Sequence, residues 1–534
     1  MFENFPILSV ITFSPLIGIL ILAFMNRENG KWLRIVGIAT TFIPLILTGY
    51  LYSQFDKASS ASQFTEHMTW LQFPLNLDGL RVESLTLEFN YSLGVDGFSL
   101  PLLLLTAFVV SMAALASVNI KTRWKTFYIL FLLLEIGILG VFLAKDLLMF
   151  FIFFELTLVP MFFLIGIWGY QNKERAANRF LIYNGLGSAI MLIAFLIIIT
   201  TAGLTQVGET ANYIYTGSID TIMQNLNDPN SYANTNVENN PSLLSDAMQT
   251  TVFILLLIAF GIKLPIFPFH TWMLRVHAEA PPAVVMIHSG ILLKMGAYGL
   301  VRFGVLLFPD QALNWAFVLA VLGAINIIYG AINAFSQSDF KLILAYSSIS
   351  HMGIILIGLA AFNEIGFQGL IIQLISHGLI SALMFLLVGS FYERTQTTTI
   401  DKLGGLAKAV PFMSAALLFA GMALLGLPSL SGFVGELLAF MALFETYPVV
   451  TLISTLGIIL AAAYVLRGVM KITFGPLDES LQQQVKQDAR LIEVIPMVSL
   501  IAFIILLGVY PTIVTEITQA TVVDFLEQIL RNGG

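Results

Sequence analysis

Cysteine is absent from the 534 residues, which excludes disulfides, thiolate zinc sites, thiol nucleophiles and cysteine-ligated iron–sulfur clusters in this chain. Charge is almost as scarce. Charged residues make up 11% of the chain against 57% hydrophobic, and mean hydropathy is +0.88. An ordinary soluble domain is roughly a quarter charged, so this composition cannot coat a globule of this size with water-compatible surface. The chain belongs in a lipid bilayer. A formal net charge of −7 with scattered basic residues leaves no nucleic-acid footprint. A Walker-type phosphate loop and a strand-preceded G-x-G-x-x-G are both missing, so neither ATP hydrolysis nor NADH binding is expected in this polypeptide. The turn-punctuated alternation of a membrane barrel is missing too, which makes the spans helical.

What is present is a series of apolar runs. A hydrocarbon core about 30 Å thick needs roughly 20 apolar residues per helix. The chain divides into about fourteen such segments, near 5–25, 32–52, 95–117, 127–143, 147–168, 180–203, 251–271, 282–303, 313–335, 342–362, 366–391, 410–432, 449–474 and 493–513. The N-terminal run has no basic flank and no small-residue cleavage site, and reads as the first span. The expected fold is an all-α polytopic membrane protein. Placing the first loop in the cytoplasm gathers Arg27, Lys31, Arg34, Lys121, Arg123, Lys125, Lys173, Arg175 and Arg179 with most other cations on that side. The opposite loops then hold only Lys57, Arg81, Lys145 and Arg302. Both termini face outward on this reading. So does the connection 204–248, which has no Lys or Arg but carries Glu209, Asp220, Asp228, Glu238 and Asp246. Trp32, Trp124, Trp168, Trp272 and Trp315 fall at span ends, as interfacial anchors do.

Two spans are interrupted, by GIKLPIFPFH at 261–270 and GLPSLSGFVGE at 426–436. Proline removes a backbone donor, so such breaks are tolerated at membrane depth only inside protein or beside water. The residues 433–446 continue the twelfth span beyond its break. The breaks lie five spans apart, which points to two five-helix repeats of inverted topology, against the plainer reading of two unrelated proline kinks. The expected organisation is 1–126 for spans 1–3, 127–303 and 304–474 for the two repeats, and 475–534 for a C-terminal loop and span 14.

Charges within spans cost about 2.5–3.5 kcal/mol each on insertion scales, so each needs a partner, water or a function. Glu155 lies in the fifth span, Lys263 before the first break, Lys294 in the middle of the eighth span and Glu436 after the second break. These four are the main candidates for proton translocation. A buried lysine and a movable carboxylate can hold and release a proton in turn, and Glu155 with Lys263 is the natural pair. His288, His351 and His377, also within spans, are candidate relays toward Glu436. The plain alternatives are a static ion pair, a snorkelling lysine and ordinary core histidines. Glu135 is an intramembrane carboxylate with either a structural or an accessory proton role. His270, His277 and Glu279 are metal-ligand types, but the break and Pro281-Pro282 keep one regular helix from presenting them together, so no metal is expected.

At these residues the chain resembles the antiporter-like membrane family shared by respiratory complex I and the Mrp-type cation/proton antiporters. The similarity runs through SLGVDGFSLPLLLLT (92–106), FFIFFELTLVPMFFLIGIWG (150–169), FGIKLPIFPFHTW (260–272), HSGILLKMGAYGLVRF (288–303), AYSSISHMG (345–353), ISHGLISALMFLLVG (375–389) and LPSLSGFVGE (427–436). Most relatives carry Lys on the broken twelfth helix; Glu436 favours the M-type (subunit 4) branch over the L-, N- and Mrp-type branches. The chain departs from the family pattern after Trp272, where Met273, Leu274, Arg275 and Val276 replace a Pro-Asp turn. The resemblance implies a non-redox, proton-translocating subunit of an NADH:quinone oxidoreductase in the cell membrane, with L- and N-type neighbours. It also implies a buried axis through Lys294, His351 and His377. Quinone and iron–sulfur centres are expected in partner subunits and no cofactor in this chain. A subunit of a sodium/proton antiporter is the transporter alternative. A haem cytochrome with His351 and His377 as axial ligands is the electron-transfer alternative.

Overall fold

The computed structural model describes residues 5–75, 84–206, 212–235, 240, 242–477, 485 and 487–532. Arg81, Glu209 and Glu238, used above to assign sides, lie outside them. Among the described residues, thirteen helices are long and apolar enough to cross a membrane. A shorter apolar helix, Pro411–Leu424, with its continuation Ser431–Thr446, makes the broken twelfth span, which brings the order to the expected fourteen. The chain is a mostly helical, multi-pass membrane protein.

Burial sorts the spans. The eighth, Pro282–Val305, and the eleventh, Glu364–Thr395, are enclosed over their whole apolar windows, whereas the second, Gly30–Gln54, and the thirteenth, Pro448–Thr473, are one-third buried. A helix apolar on every face belongs inside a bundle, and these two form its axis. They approach closely because Gly290 faces Gly378: a Cβ on Gly378 would stand 2.8 Å from the Gly290 carbonyl oxygen. Small residues at such a crossing let backbones meet. The eighth span also contains two wide π-helical turns, His288–Leu292 and Leu300–Val305.

Both breaks are built as two half-helices around an irregular turn. The seventh span runs Asp246–Lys263 and then Thr271–Glu279. Its freed backbone groups find partners: the Trp272 indole donates to the Ile262 carbonyl at 3.1 Å, and the Phe267 N–H donates to Asn326 Oδ1 at 2.8 Å. Trp272 is therefore fully buried, which corrects its assignment as an interfacial anchor: the half-helix turns it back into the protein. At the second break Gly426 sits at φ +69°, and a Cβ there would lie 2.7 Å from a Glu436 carboxylate oxygen. Only glycine suits that place.

A four-stranded sheet, β1 (Gln63–Pro74), β2 (Ser84–Val95), β3 (Leu204–Gln206) and β4 (Asn212–Thr216), has the order β1-β2-β4-β3. It was not foreseen in the all-α reading. β1 and β2 join spans 2 and 3, β3 and β4 follow span 6, and β2 pairs parallel with β4, so these connections share one side of the bundle. The start of the first helix and the last helix are on that side. The Leu8 N–H donates to Glu66 on β1 at 2.7 Å, and the Gly97 N–H donates to Thr521 on the last helix, Thr512–Asn532, at 3.1 Å.

Where the spans enter the sheet side, Asp96 accepts from Lys145 at 3.0 Å and from Arg302. Burial works against the Asp96 anion, but the Arg302 and Lys145 charges outweigh it and hold the carboxyl well below the usual carboxylate range.

Candidate proton pathway

The central residue is Lys294, fully buried in the eighth span between its two π-helical turns. Its ammonium donates to the Ser289 carbonyl and to His377 Nδ1 at 2.8 Å. The glycine crossing of spans 8 and 11 allows that approach. The His377 ring stands 5.3 Å, centroid to centroid, from the His351 ring of the tenth span. His351 Nδ1 lies 3.2 Å from Glu436 Oε1 on the second half of span 12, and Gln373 Nε2 is also 3.2 Å from that nitrogen. Four of the seven candidates thus form one buried line, Lys294 to His377 to His351 to Glu436.

Hydroxyl groups border this line. Tyr464 donates to Ser347 at 2.9 Å, and Ser289 and Ser348 are 3.3 Å apart. A cavity of about 10 Å³ lies beside His377 with Ser347, Ser348 and Ser381, and another of about 10 Å³ beside His351 and Glu436 with Ser350. That is about the room a single water needs. At 5.3 Å and 43° between ring planes, with one ring held by Lys294 and the other facing Glu436, the histidines are engaged by the polar line.

The other end is different. Lys263, 2% exposed, closes the first half-helix of span 7. Its ammonium lies over the rings of Phe154 at 4.8 Å and Phe180 at 5.8 Å. Glu155 is within electrostatic reach, yet no ion pair within 4 Å joins the two among the described residues. The expected pair is open: Glu155 is half-buried on span 5 while Lys263 is enclosed in the bundle. One Glu155 oxygen is buried with no hydrogen-bond partner among the described residues, as are both oxygens of Glu135.

Between the two ends stands a contact that the sequence concealed. His277 Nε2 lies 2.9 Å from His288 Nδ1, both fully buried, with His288 against Trp272 and Phe180. His288 feels the charges of both Lys263 and Lys294. His277, considered from sequence only as a metal-ligand type, thus pairs with His288 beside the line, and Gln373, which was not singled out at all, bonds its member His351. The available signal was two histidines flanking a Pro-Pro turn. The metal-type trio itself is dispersed: His270 bonds Tyr329 at 3.0 Å and Glu279 accepts from the Asn172 N–H at 2.9 Å.

Residues 144–462, which contain Glu155, Lys263, Lys294, His351, His377 and Glu436, match the family described as "NADH:quinone oxidoreductase/Mrp antiporter, TM". The chain belongs to this family. It is 36% identical over 537 residues to the "NAD(P)H-quinone oxidoreductase chain 4 1" of Synechococcus elongatus, covering 99% of this chain and 93% of that one. It is 35% identical to the "NADH-quinone oxidoreductase subunit M" of Rhodobacter capsulatus, covering 98% and 96%. Among solved structures it resembles a chain of respiratory complex I from Thermus thermophilus, with a TM-score of 0.79, 26% identity and coverage of 99% and 100%. A chain of the Mrp complex from a Dietzia species shares the fold at a TM-score of 0.78 and 21% identity, covering 99% of both chains. In this antiporter-like family member the buried line from Lys294 to Glu436 passes from span to span, through the eighth, eleventh, tenth and twelfth in turn.

Proposed function

We propose that the chain is the M-type, proton-translocating membrane subunit of a quinone-reducing respiratory complex. The observation that carries this reading is the succession Lys294–His377–His351–Glu436, whose neighbours are bonded or face one another at 5.3 Å or less, ending in a carboxylate on the broken twelfth span. A proton held between Glu155 and Lys263 passes by way of His288 and His277 to Lys294, then along His377 and His351 to Glu436, which exchanges it with one bulk phase. Lysine and imidazole donate and accept at neighbouring atoms, and single waters in the two small cavities bridge the wider steps. Moving one charge against 100 mV costs about 2.3 kcal/mol, so an external reaction must drive net transfer. Quinone reduction in partner subunits supplies it; the quinone and iron–sulfur centres reside there.

The same reading gives the organisation. Residues 1–126 form an N-terminal group of three spans, 127–303 and 304–474 are the inverted repeats, each with one break, and 475–534 close the bundle. L-type and N-type relatives are the neighbours in a plasma or inner membrane. The sheet and both termini face outward, because the opposite side gathers the cations.

The test is purification of the tagged chain from native membranes, identification of its companions, and proton translocation in vesicles for Glu155→Gln and Lys263→Ala. Redox companions with iron–sulfur centres and translocation cut about tenfold in an assembled complex are expected. Normal pumping in both variants would overturn the assigned roles, and sodium-dependent transport without quinone reductase companions would favour the antiporter instead.

A further inference from the structure

A separate feature lies at the cation-rich ends of the first and fourth spans, away from the proton line. The loop before span 4, residues 120–123, and the first turn of that helix open into a recess of about 490 Å³. Four cations line it, Arg27, Lys121, Arg123 and Lys125, together with Trp124 and the hydroxyls of Thr122 and Thr126. No carboxylate lines it, and among the described residues none of the four cations is in an ion pair.

The recess is rigidly built. The Trp124 indole donates to the Ile120 carbonyl at 2.6 Å and the Trp168 indole to the Thr122 carbonyl at 2.9 Å, so two rings clamp the loop. The Arg34 guanidinium stacks 4.4 Å from the Trp124 ring. Lys125 donates to the carbonyls of Ala23 at 2.7 Å and Met25 at 3.0 Å, tying the end of span 1 to the start of span 4. Arg123 stands at φ +55° as the N-cap of span 4, and that helix has no side-chain cap, so its positive end adds to the cationic field.

We infer that this recess binds the phosphate headgroup of an anionic membrane lipid. The two halves of such a molecule find two matching surfaces. Beside the cations, span 1 presents Leu20, Ile21 and Phe24 outward, with Phe24 90% exposed, an apolar strip for an acyl chain that a free phosphate would not use. Tryptophans at headgroup level mark the same depth. Basic pockets between spans on the cytoplasmic side are suited to anionic headgroups, each cation near the surface contributing roughly a fivefold gain in affinity.

The test uses the assembled native complex, delipidated in detergent, with phosphatidylglycerol, phosphatidylcholine or inorganic phosphate added back and bound lipid counted by native mass spectrometry. A variant carrying Arg27→Gln, Lys121→Gln and Arg123→Gln alters exposed side chains only; Lys402→Gln with Lys408→Gln, on the same side, is the control. The expected result is loss of one tightly held phosphatidylglycerol and a fall of about 100-fold in its affinity, with the control unchanged and phosphatidylcholine not retained. Equal retention in the triple variant, equal binding of phosphatidylcholine, or displacement by inorganic phosphate at matching concentration would each overturn the inference.

Discussion

The two ends of the buried polar line are made of the same kinds of residue and yet are differently furnished. Around Glu436 stand His351, Gln373, Ser350 and a cavity of water size. Around Lys263 stand Phe154 and Phe180, with Glu155 near but not bonded. The Glu436 end offers a proton several neighbouring acceptors, while the Lys263 end offers almost none. On the proposed pathway a proton arriving at the dry end waits on a movement or a water, which is where a driven device can be controlled. At the polar end, loss of one group leaves substitutes.

This contrast ranks the consequences of substitution. On the proposed pathway Lys294 joins both ends, so Lys294→Met is expected to lower coupled turnover by about 10²-fold, the low end of what removing a proton-transfer group costs. Vesicle acidification and quinone reductase assays measure it, and more than half the normal rate would refute the continuous line. At the dry end, Lys263→Ala or Glu155→Gln should each cost about tenfold, equivalent to about 1.4 kcal/mol, in a complex that still assembles. At the polar end, Glu436→Ala should cost about fivefold and Glu436→Lys less, because a titratable group remains. Equal losses at the two ends would erase the distinction between them, and equal losses for Ala and Lys at 436 would mean that the carboxylate itself is required.

The smallest effect concerns stability. Asp146, the N-cap just outside span 5, has its carboxyl pushed up to about 6 by burial, against the Met149 and Leu148 N–H groups that favour its anion. An unfolded aspartate titrates near about 3.9. The folded form therefore holds its proton more tightly, and the resulting stability is complete below about pH 4 and lost as pH rises through about 6. Acidifying from pH 7 to 5 should stabilise the wild-type chain by about 1 kcal/mol relative to Asp146→Asn, which keeps a capping side chain. Thermal unfolding at the two pH values reads this directly; parallel curves for the two proteins would contradict it.

Much of the architecture was legible because hydropathy over a span is a local property. Each of the fourteen runs and both breaks could be found without knowing any neighbour. The sheet could not. β2 and β4 pair across more than a hundred residues, and their partners, Ser84 with Asn212 and Glu88 with Thr216, have no sequence mark of one another. Similarly, Glu155, Lys263, Lys294 and Glu436 stood out because charge in a span is costly, whereas Gln373 and Ser347 are polar residues that such a cost argument passes over. His277 was hidden for another reason: it lies beyond a break, and only the turn at Pro281 folds it back onto His288. Trp272 misled because the end of a broken helix is not the edge of the membrane.

The paired π-helical turns of the eighth span have a consequence for phase. Each extra residue in a widened helix turn leaves the remainder of the rod about 100° behind where an uninterrupted α-helix would carry it. His288, Lys294 and Arg302 are spread along one rod yet meet His277, His377 and Asp96 respectively, three partners on different azimuths. Deleting one residue from Leu300–Val305 would leave Lys294 aimed at His377 but swing the stretch on the far side of the deletion away from its partner. The rod behaves as a vernier whose graduations are set independently at its centre and at its ends.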